Sequence, residues 1–303
     1  MSGFKQAMFI IGLGMFWGVM PTMNKLLGIA GIPVVAIMTV SGFGVALGMA
    51  GLQRAMGGRL NIDWPVISYG LGCGVLNNAA WALALLSIRH VPIALWAVIT
   101  STTPIWTYVF ALALGRELPG GIRALALVIG FASSLALIVT RPGTWEGKVD
   151  GWILITLAIP VLYACYNLFT SVAWPAGMAA ATAGTVESAA SSLLTLPFAV
   201  LFWPRTGAEV EPTLWGYVLL ATLILLWVLE RVSYFNLIRT LGPVTTVQAD
   251  FVATPSSVIM GLLFFGEKAD IWLWVSLGLI MISLWLNNRA VRPQTSPAPA
   301  PAP

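Results

Sequence analysis

The sequence predicts an all-α integral membrane protein, with ten transmembrane helices in two inverted five-helix repeats around a central cavity. Three observations carry that expectation. The 303 residues are 58% hydrophobic and only 9% charged, where a soluble domain carries about 25% charged residues. That leaves too little polar surface to cover a globule in water. Apolar runs of bilayer-crossing length recur along the whole chain. Finally, a set of motifs in the first half returns about 150 residues later.

The spans follow from apolar length, with Gly, Pro and charge clusters as breaks. They are expected at 7–27, 33–52, 65–87, 92–114, 121–140, 151–172, 181–203, 213–238, 243–265 and 271–288. They are too long for barrel strands and lack alternation, so they read as helices. The first run, after Lys5, resembles a secretory leader. It continues to Leu27 without a small-residue cleavage pattern and is followed by similar runs, so it reads as a span. Gly44-x-x-x-Gly48 and Gly70-x-x-x-Gly74 mark close helix packing in the second and third spans. Trp64, Trp145, Trp152, Trp203, Trp215 and Trp272 sit at span ends and fit an interfacial belt.

An even number of spans puts both termini on one side. With the N-terminus inside, the inner segments hold Lys5, Arg54, Arg59, Arg116, Arg123, Arg239, Arg289 and Arg292. The outer ones hold Arg89, Arg141, Lys148, Arg205 and Lys268, together with most of the acids. The positive-inside rule therefore favours cytoplasmic termini. The tail at 291–303 is Pro/Ala-rich and reads as disordered and cytoplasmic.

Pro92 and Pro243, Pro104 and Pro255, and Gly115 and Gly266 are each 151 residues apart; Arg89 and Arg239, and Glu117 and Glu267, are 150 apart. Each proline pair opens a span and is expected to interrupt it about a dozen residues later. The repeats are 7–140 and 151–290, joined near 141–150. Five spans is an odd number, so the halves lie with opposite orientation. Inverted repeats are the architecture of many secondary transporters, with the substrate site near the midplane between halves.

Polar residues cluster on one face of six spans, using the i, i+3, i+4, i+7 spacing. The first carries Trp17, Asn24 and Lys25; the third Asn77, Asn78 and Trp81; the fourth Trp96, Thr100, Thr103 and Thr107. The sixth carries Tyr163, Tyr166, Asn167 and Thr170; the eighth Trp227, Glu230, Arg231 and Tyr234; the ninth Asp250, Thr254 and Ser257. The middles of the second, fifth and tenth spans look small or apolar. The threonines also have a plain structural use, bonding carbonyls of the preceding turn.

Trp17-Gly18 with Lys25, Thr103-Pro104 and Thr254-Pro255, and the endings Gly115-Arg116-Glu117 and Gly266-Glu267 resemble the drug/metabolite transporter superfamily, EamA branch. The resemblance covers residues 7 to about 290. It implies two EamA units, a cavity lined by spans 1, 3, 4, 6, 8 and 9, a plasma (bacterial inner) membrane location, and export or exchange of small metabolites. The sequence departs from an exact duplication where Tyr163-Ala164-Cys165-Tyr166 stands in place of a tryptophan signature, and where Ile99 stands opposite Asp250.

Intramembrane charge narrows the chemistry. Glu187, Glu230 and Asp250 lie within spans. A charge at the bilayer centre costs roughly 2.5–3.5 kcal/mol on insertion scales, so these residues face a cavity or a partner. Asp250 has no base nearby on its own helix and is expected to bind a cationic group or carry a coupling proton. Glu187, Glu230, Arg231 and Lys25 are coupling or gating candidates, with pairing (Glu230 with arginine) and snorkelling (Lys25) as plainer readings. The expected substrate-binding set is Trp17, Asn77, Asn78, Trp81, Trp96, Thr100, Thr103, Tyr163, Tyr166, Asn167, Trp227, Tyr234, Asp250 and Thr254. Aromatic walls with carboxylates suit an amine or quaternary ammonium; asparagines and Lys25 add a carboxylate contact. An amino-acid-like substrate follows, with an organic cation or nucleobase-like solute as alternatives.

Other classes are excluded. The net charge of +4 is dispersed and makes no nucleic-acid stripe. His90 is the single histidine, and Cys73 and Cys165 are far apart in apolar runs, so no ordinary metal site or disulfide framework is expected. No cofactor is expected: there is no glycine-rich phosphate loop, which excludes ATP as energy source. No span pairs a serine with a histidine, which argues against an embedded hydrolase. A scaffold or sensor would not need six polar faces. The expected partners are a small solute, possible proton coupling and the bilayer, with the chain a monomer or weak homodimer.

Overall fold

The computed structural model describes residues 3–116, 120–139, 151–202, 213–241, 243–268 and 270–289. Glu117, the joining segment 141–150, the outer charges of 203–212 and the tail lie outside the described residues. Among the described residues the chain is helical throughout, with no strand. The helices are α1 (Gly3–Ile29), α2 (Val34–Ala55), α3 (Trp64–Ser87), α4 (Ile93–Thr100), α5 (Thr103–Ala113), α6 (Gly121–Val139), α7 (Gly151–Val172), α8 (Ala180–Phe202) and α9 (Leu214–Leu241). A short α10 (Pro243–Thr246), a 3₁₀ turn (Val247–Ala249), α11 (Asp250–Phe265) and α12 (Ile271–Arg289) follow.

Among the described residues, six stretches are long and apolar enough to cross a membrane: Val34–Ala55, Trp64–Ser87, Ile93–Ala113, Gly151–Val172, Ala180–Phe202 and Leu214–Thr240. The chain is thus consistent with a multi-pass membrane protein. Its surface agrees: Leu47, Leu225 and Leu263 are about 70% exposed, a cost in water that lipid removes.

Local chemistry sets the helix ends. Asp63 accepts from the Val66 amide at 3.1 Å and Pro65 occupies the first turn, which starts α3. Asp270 does the same for Leu273 at 2.8 Å ahead of α12. Gly266, at φ 58°, ends α11 in the left-handed conformation.

The proline expectation needs correcting. The fourth span does break, at Ser101–Thr102, with Pro104 in the first turn of α5. Pro255, however, lies inside α11, and the irregularity comes earlier, as the 3₁₀ turn at Val247–Ala249. A proline ring clashes with the carbonyl one turn upstream, here that of Phe251 within α11, so the 3₁₀ turn lies beyond its reach. Asp250 therefore opens α11 rather than sitting two turns into a helix.

Small residues bring the helices together. A side chain at Gly14 would collide with the Ala249 carbonyl, and one at Gly18 with Ser256 and Ala253, so α1 and α11 pack closely. Ser257 Oγ completes that contact by donating to the Gly18 carbonyl at 2.9 Å. Gly70 and Gly74 seat α3 against Val186 and Ser191 of α8, and Gly44 and Gly48 seat α2 against Ile224 and Val228 of α9. The chief pairings are α2 with α8, α6 with α12, α1 with α11, α3 with α7 and α8, α7 with α4 and α5, α4 with α11, and α9 with α1 and α2.

Candidate functional site

A cavity of about 180 Å³ lies at the centre, where α1, α2, α3, α4, α5, α7, α8, α9 and α11 meet. Close α1–α11 packing aims Trp17 and Asp250 at it. α3 contributes Asn77 and Trp81, and the broken helix contributes Trp96, Thr100 and Thr103. α7 adds Tyr163, Tyr166 and Asn167; α9 adds Trp227, Glu230, Arg231 and Tyr234; α11 adds Thr254 beside Asp250. The structure thus gathers fifteen of the eighteen candidate residues, counting Asp250 once, onto one surface.

The other three lie elsewhere. Asn78 turns from the cavity to α8, donating from Nδ2 to the Ser191 carbonyl at 2.9 Å. Glu187 is fully buried behind the wall. Lys25 stands at the end of α1, paired with Glu267 at 3.4 Å and 4.5 Å from the Phe265 ring. Its ammonium is thus already partnered, which removes it from carboxylate binding in this conformation.

One buried network dominates the electrostatics. Arg231 bridges two acids, with Nη2 3.3 Å from Glu187 Oε1 and Nε 3.7 Å from Glu230 Oε2. Tyr166 Oη donates to the Glu187 carboxylate at 3.0 Å and accepts from Arg231 Nη1 at 3.2 Å. Trp17 Nε1 donates to Glu230 Oε1 at 3.0 Å. Tyr234 Oη donates to Asn167 Oδ1 at 2.8 Å, and its ring stacks on Tyr166 at 5.9 Å. These bonds hold the rings and acids in fixed positions.

Asp250 differs from both glutamates. It makes no side-chain hydrogen bond or ion pair with any described residue and borders the cavity. Its place at the start of α11 puts the carboxylate at the positive end of that helix. With all acids ionised, the site holds three carboxylates against one guanidinium, a formal excess of two negative charges.

Aromatic surface covers the other end. Trp81 and Trp227 meet edge to face at 5.8 Å, and Phe16 joins Trp227 at 5.5 Å. Trp81 Nε1 and Trp227 Nε1 are buried without a hydrogen-bond partner. Trp96 Nε1 donates to Ser87 Oγ at 3.2 Å.

The threonines do backbone work. Thr100 donates to the Trp96 carbonyl at 2.9 Å, Ser101 to Val98 at 2.7 Å, Thr102 to Ile99 at 2.8 Å and Thr103 to Thr100 at 2.6 Å. Four consecutive hydroxyls thus satisfy carbonyls around the break.

The face analysis missed α2 and α8. Ser41 and Gly42 on α2, and Ser188 and Ser191 on α8, also line the cavity. The signal was available in the Ser-rich run after Glu187, whose residues 187, 188, 191 and 192 share one helix face. His90 is exposed, and its ring stacks on Trp152 at 4.1 Å and 10°.

No family model matches the chain, and no curated protein matches it. Among solved structures, one described only as "Crystal structure of protein" superimposes with a TM-score of 0.68. It covers 96% of this chain and 99% of its own, at 15% identity. The similarity is one of fold.

Proposed function

We propose that the chain is a secondary transporter of the EamA type within the drug/metabolite transporter superfamily. Ten spans in two inverted halves exchange or export a small amine-bearing metabolite, such as an amino acid, by alternating access across a plasma (bacterial inner) membrane. The observation that carries the reading is an aromatic cavity in which one carboxylate, Asp250, has no partner among the described residues. An unpaired acid at that depth is costly unless a cation or a proton meets it.

The helix pairings support the inverted repeat. Exchanging the first five spans for the last five turns the α1–α11 pairing into that of α7 with the α4–α5 pair. It turns α3–α7 into α1–α9, and α3–α8 into α2–α9, while α2–α8, α6–α12 and α4–α11 map onto themselves. The cavity is smaller than the roughly 300–1,000 Å³ of drug-sized pockets, which favours a small solute. A quaternary ammonium is the second reading, favoured by the indoles of Trp81, Trp96 and Trp227, since cation–π contact needs no N–H donor on the ligand.

The test is Asp250→Asn, which keeps size and loses charge. If Asp250 binds the cation, affinity for amines in a ligand-stabilisation screen falls. If it carries a proton, substrate counterflow persists while pH-driven transport is lost. A folded variant with wild-type affinity and pH response would sink both roles.

A further inference from the structure

We infer that the outer-leaflet side of the fold carries a built phospholipid site, with the lipid phosphate on Arg89 and an acyl chain laid along α3. This inference rests on the multi-pass membrane character of the chain and on the orientation expected from its arginine bias, and stands apart from the transport reading.

The site is a second, larger groove of about 850 Å³ between α2, α3 and α8. Its walls are apolar and open to the surroundings: Val75 is 53% exposed, Leu86 40%, Phe198 55% and Phe202 43%. α3 and α8 run parallel here, since Gly70 faces Val186 and Gly74 faces Ser191. Leu86 and Phe202 therefore mark the same end of the groove, and Arg89 lies just beyond it.

Length and charge select the occupant. From Val75 to Leu86 the groove's lining on α3 climbs about 16 Å at helical rise, with Arg89 just beyond. That is the depth of one leaflet in a roughly 30 Å hydrocarbon core. A groove that is apolar for one leaflet and cationic at the headgroup level matches an anionic phospholipid. Arg89 is pre-set for it: Nη2 is spent on the Ile32 carbonyl at 3.2 Å, which fixes the guanidinium, and its other N–H groups have no described partner. A guanidinium held this way suits bidentate phosphate contact. The arginine bias puts the mouth on the outer side.

Two variants test this in the full-length protein. Ala79 is exposed in the groove wall, so Ala79→Trp fills the acyl path without touching Arg89. Arg89→Met removes the phosphate contact and leaves the groove. The protein is reconstituted in nanodiscs of mixed phosphatidylcholine and phosphatidylglycerol, released, and its bound lipids counted by native mass spectrometry. The expected result is one retained phospholipid, enriched in phosphatidylglycerol, lost in Ala79→Trp. Its preference for phosphatidylglycerol should drop about fivefold in Arg89→Met, the worth of one basic residue at a lipid surface. Lipid retention unchanged in Ala79→Trp would overturn the site. So would diacylglycerol binding as well as phosphatidylglycerol, or stabilisation by glycerol phosphate alone equal to that by the intact lipid.

Discussion

Arg231 is the residue whose removal should hurt the fold most. It is buried between Glu187, at 3.3 Å, and Glu230, at 3.7 Å. At an effective dielectric of 20, unit charges at these separations attract by about 5 and 4.5 kcal/mol. Desolvation of three buried groups offsets much of that, so the pairs add little net stability over an apolar replacement of all three. Removing the cation alone is different, because it strands two acids. The cost of breaking a buried pair on one side is about 3–5 kcal/mol. Arg231→Met should therefore lose about that much in equilibrium unfolding followed by tryptophan fluorescence in mixed micelles. Adding Glu187→Gln, which keeps the hydrogen bond from Tyr166, should restore at least half. A loss below about 1 kcal/mol, or no recovery in the double variant, would show that the acids are not ionised partners of Arg231.

Other expectations follow from single contacts. Glu267→Gln should destabilise by about 1.5–3 kcal/mol, the range for hydrogen bonds to a charged group. It should also raise chemical acylation of the Lys25 amine, read by mass spectrometry, because the acid now holds that ammonium; unchanged labelling would argue against a clamp. Gly18→Val should cost about 1–3 kcal/mol by overpacking against Ser256 and Ala253, read as a lower melting temperature; an unaffected melting temperature would contradict the α1–α11 contact. If the chain has the proposed ten-span arrangement with cytoplasmic termini, Lys148→Cys should react with impermeant maleimide only from outside the cell, and cytoplasmic labelling would overturn that proposal.

Most of the fold was legible because a bilayer leaves the sequence few options. Apolar length marks candidate spans, and six of the ten expected are helices long and apolar enough to cross a membrane among the described residues, with ends shifted by a few residues. The cavity was legible in part because polar residues in an apolar span need a reason to be there, and helical spacing groups them. Periodicity cannot say which neighbour a polar face meets. Asn77 and Asn78 are adjacent, yet one lines the cavity and the other bonds the Ser191 carbonyl of α8. Nor does it register small polar residues such as Ser41 and Ser188, which pass as packing. Glu267 was read as an end motif, but its carboxylate accepts from the Ile93 and Ala94 amides at 2.6 and 2.9 Å. A cap donated by a helix 170 residues away has no local signal.

These magnitudes also say where the fold can open. The first amides of α4 have no partner within their own helix, and Pro92 offers them no side-chain cap. Glu267, just past the end of α11, supplies one and ties it to Lys25 on α1. That clamp joins the ends of three helices, but Lys25 and Glu267 are 18% and 10% exposed, so water can replace their partners at modest cost. The Glu187–Arg231–Glu230 network has almost no exposure, and separating its charges would leave them unsolvated. If the chain works by alternating access, the seam that parts is therefore the Lys25–Glu267 clamp, and the arginine network stays intact as a fixed wall of the cavity. A bifunctional thiol cross-linker spanning cysteines placed at 25 and 267 should then stop transport while leaving ligand binding in the cavity measurable. Transport that continues at the wild-type rate through the cross-linked protein would place the moving seam elsewhere.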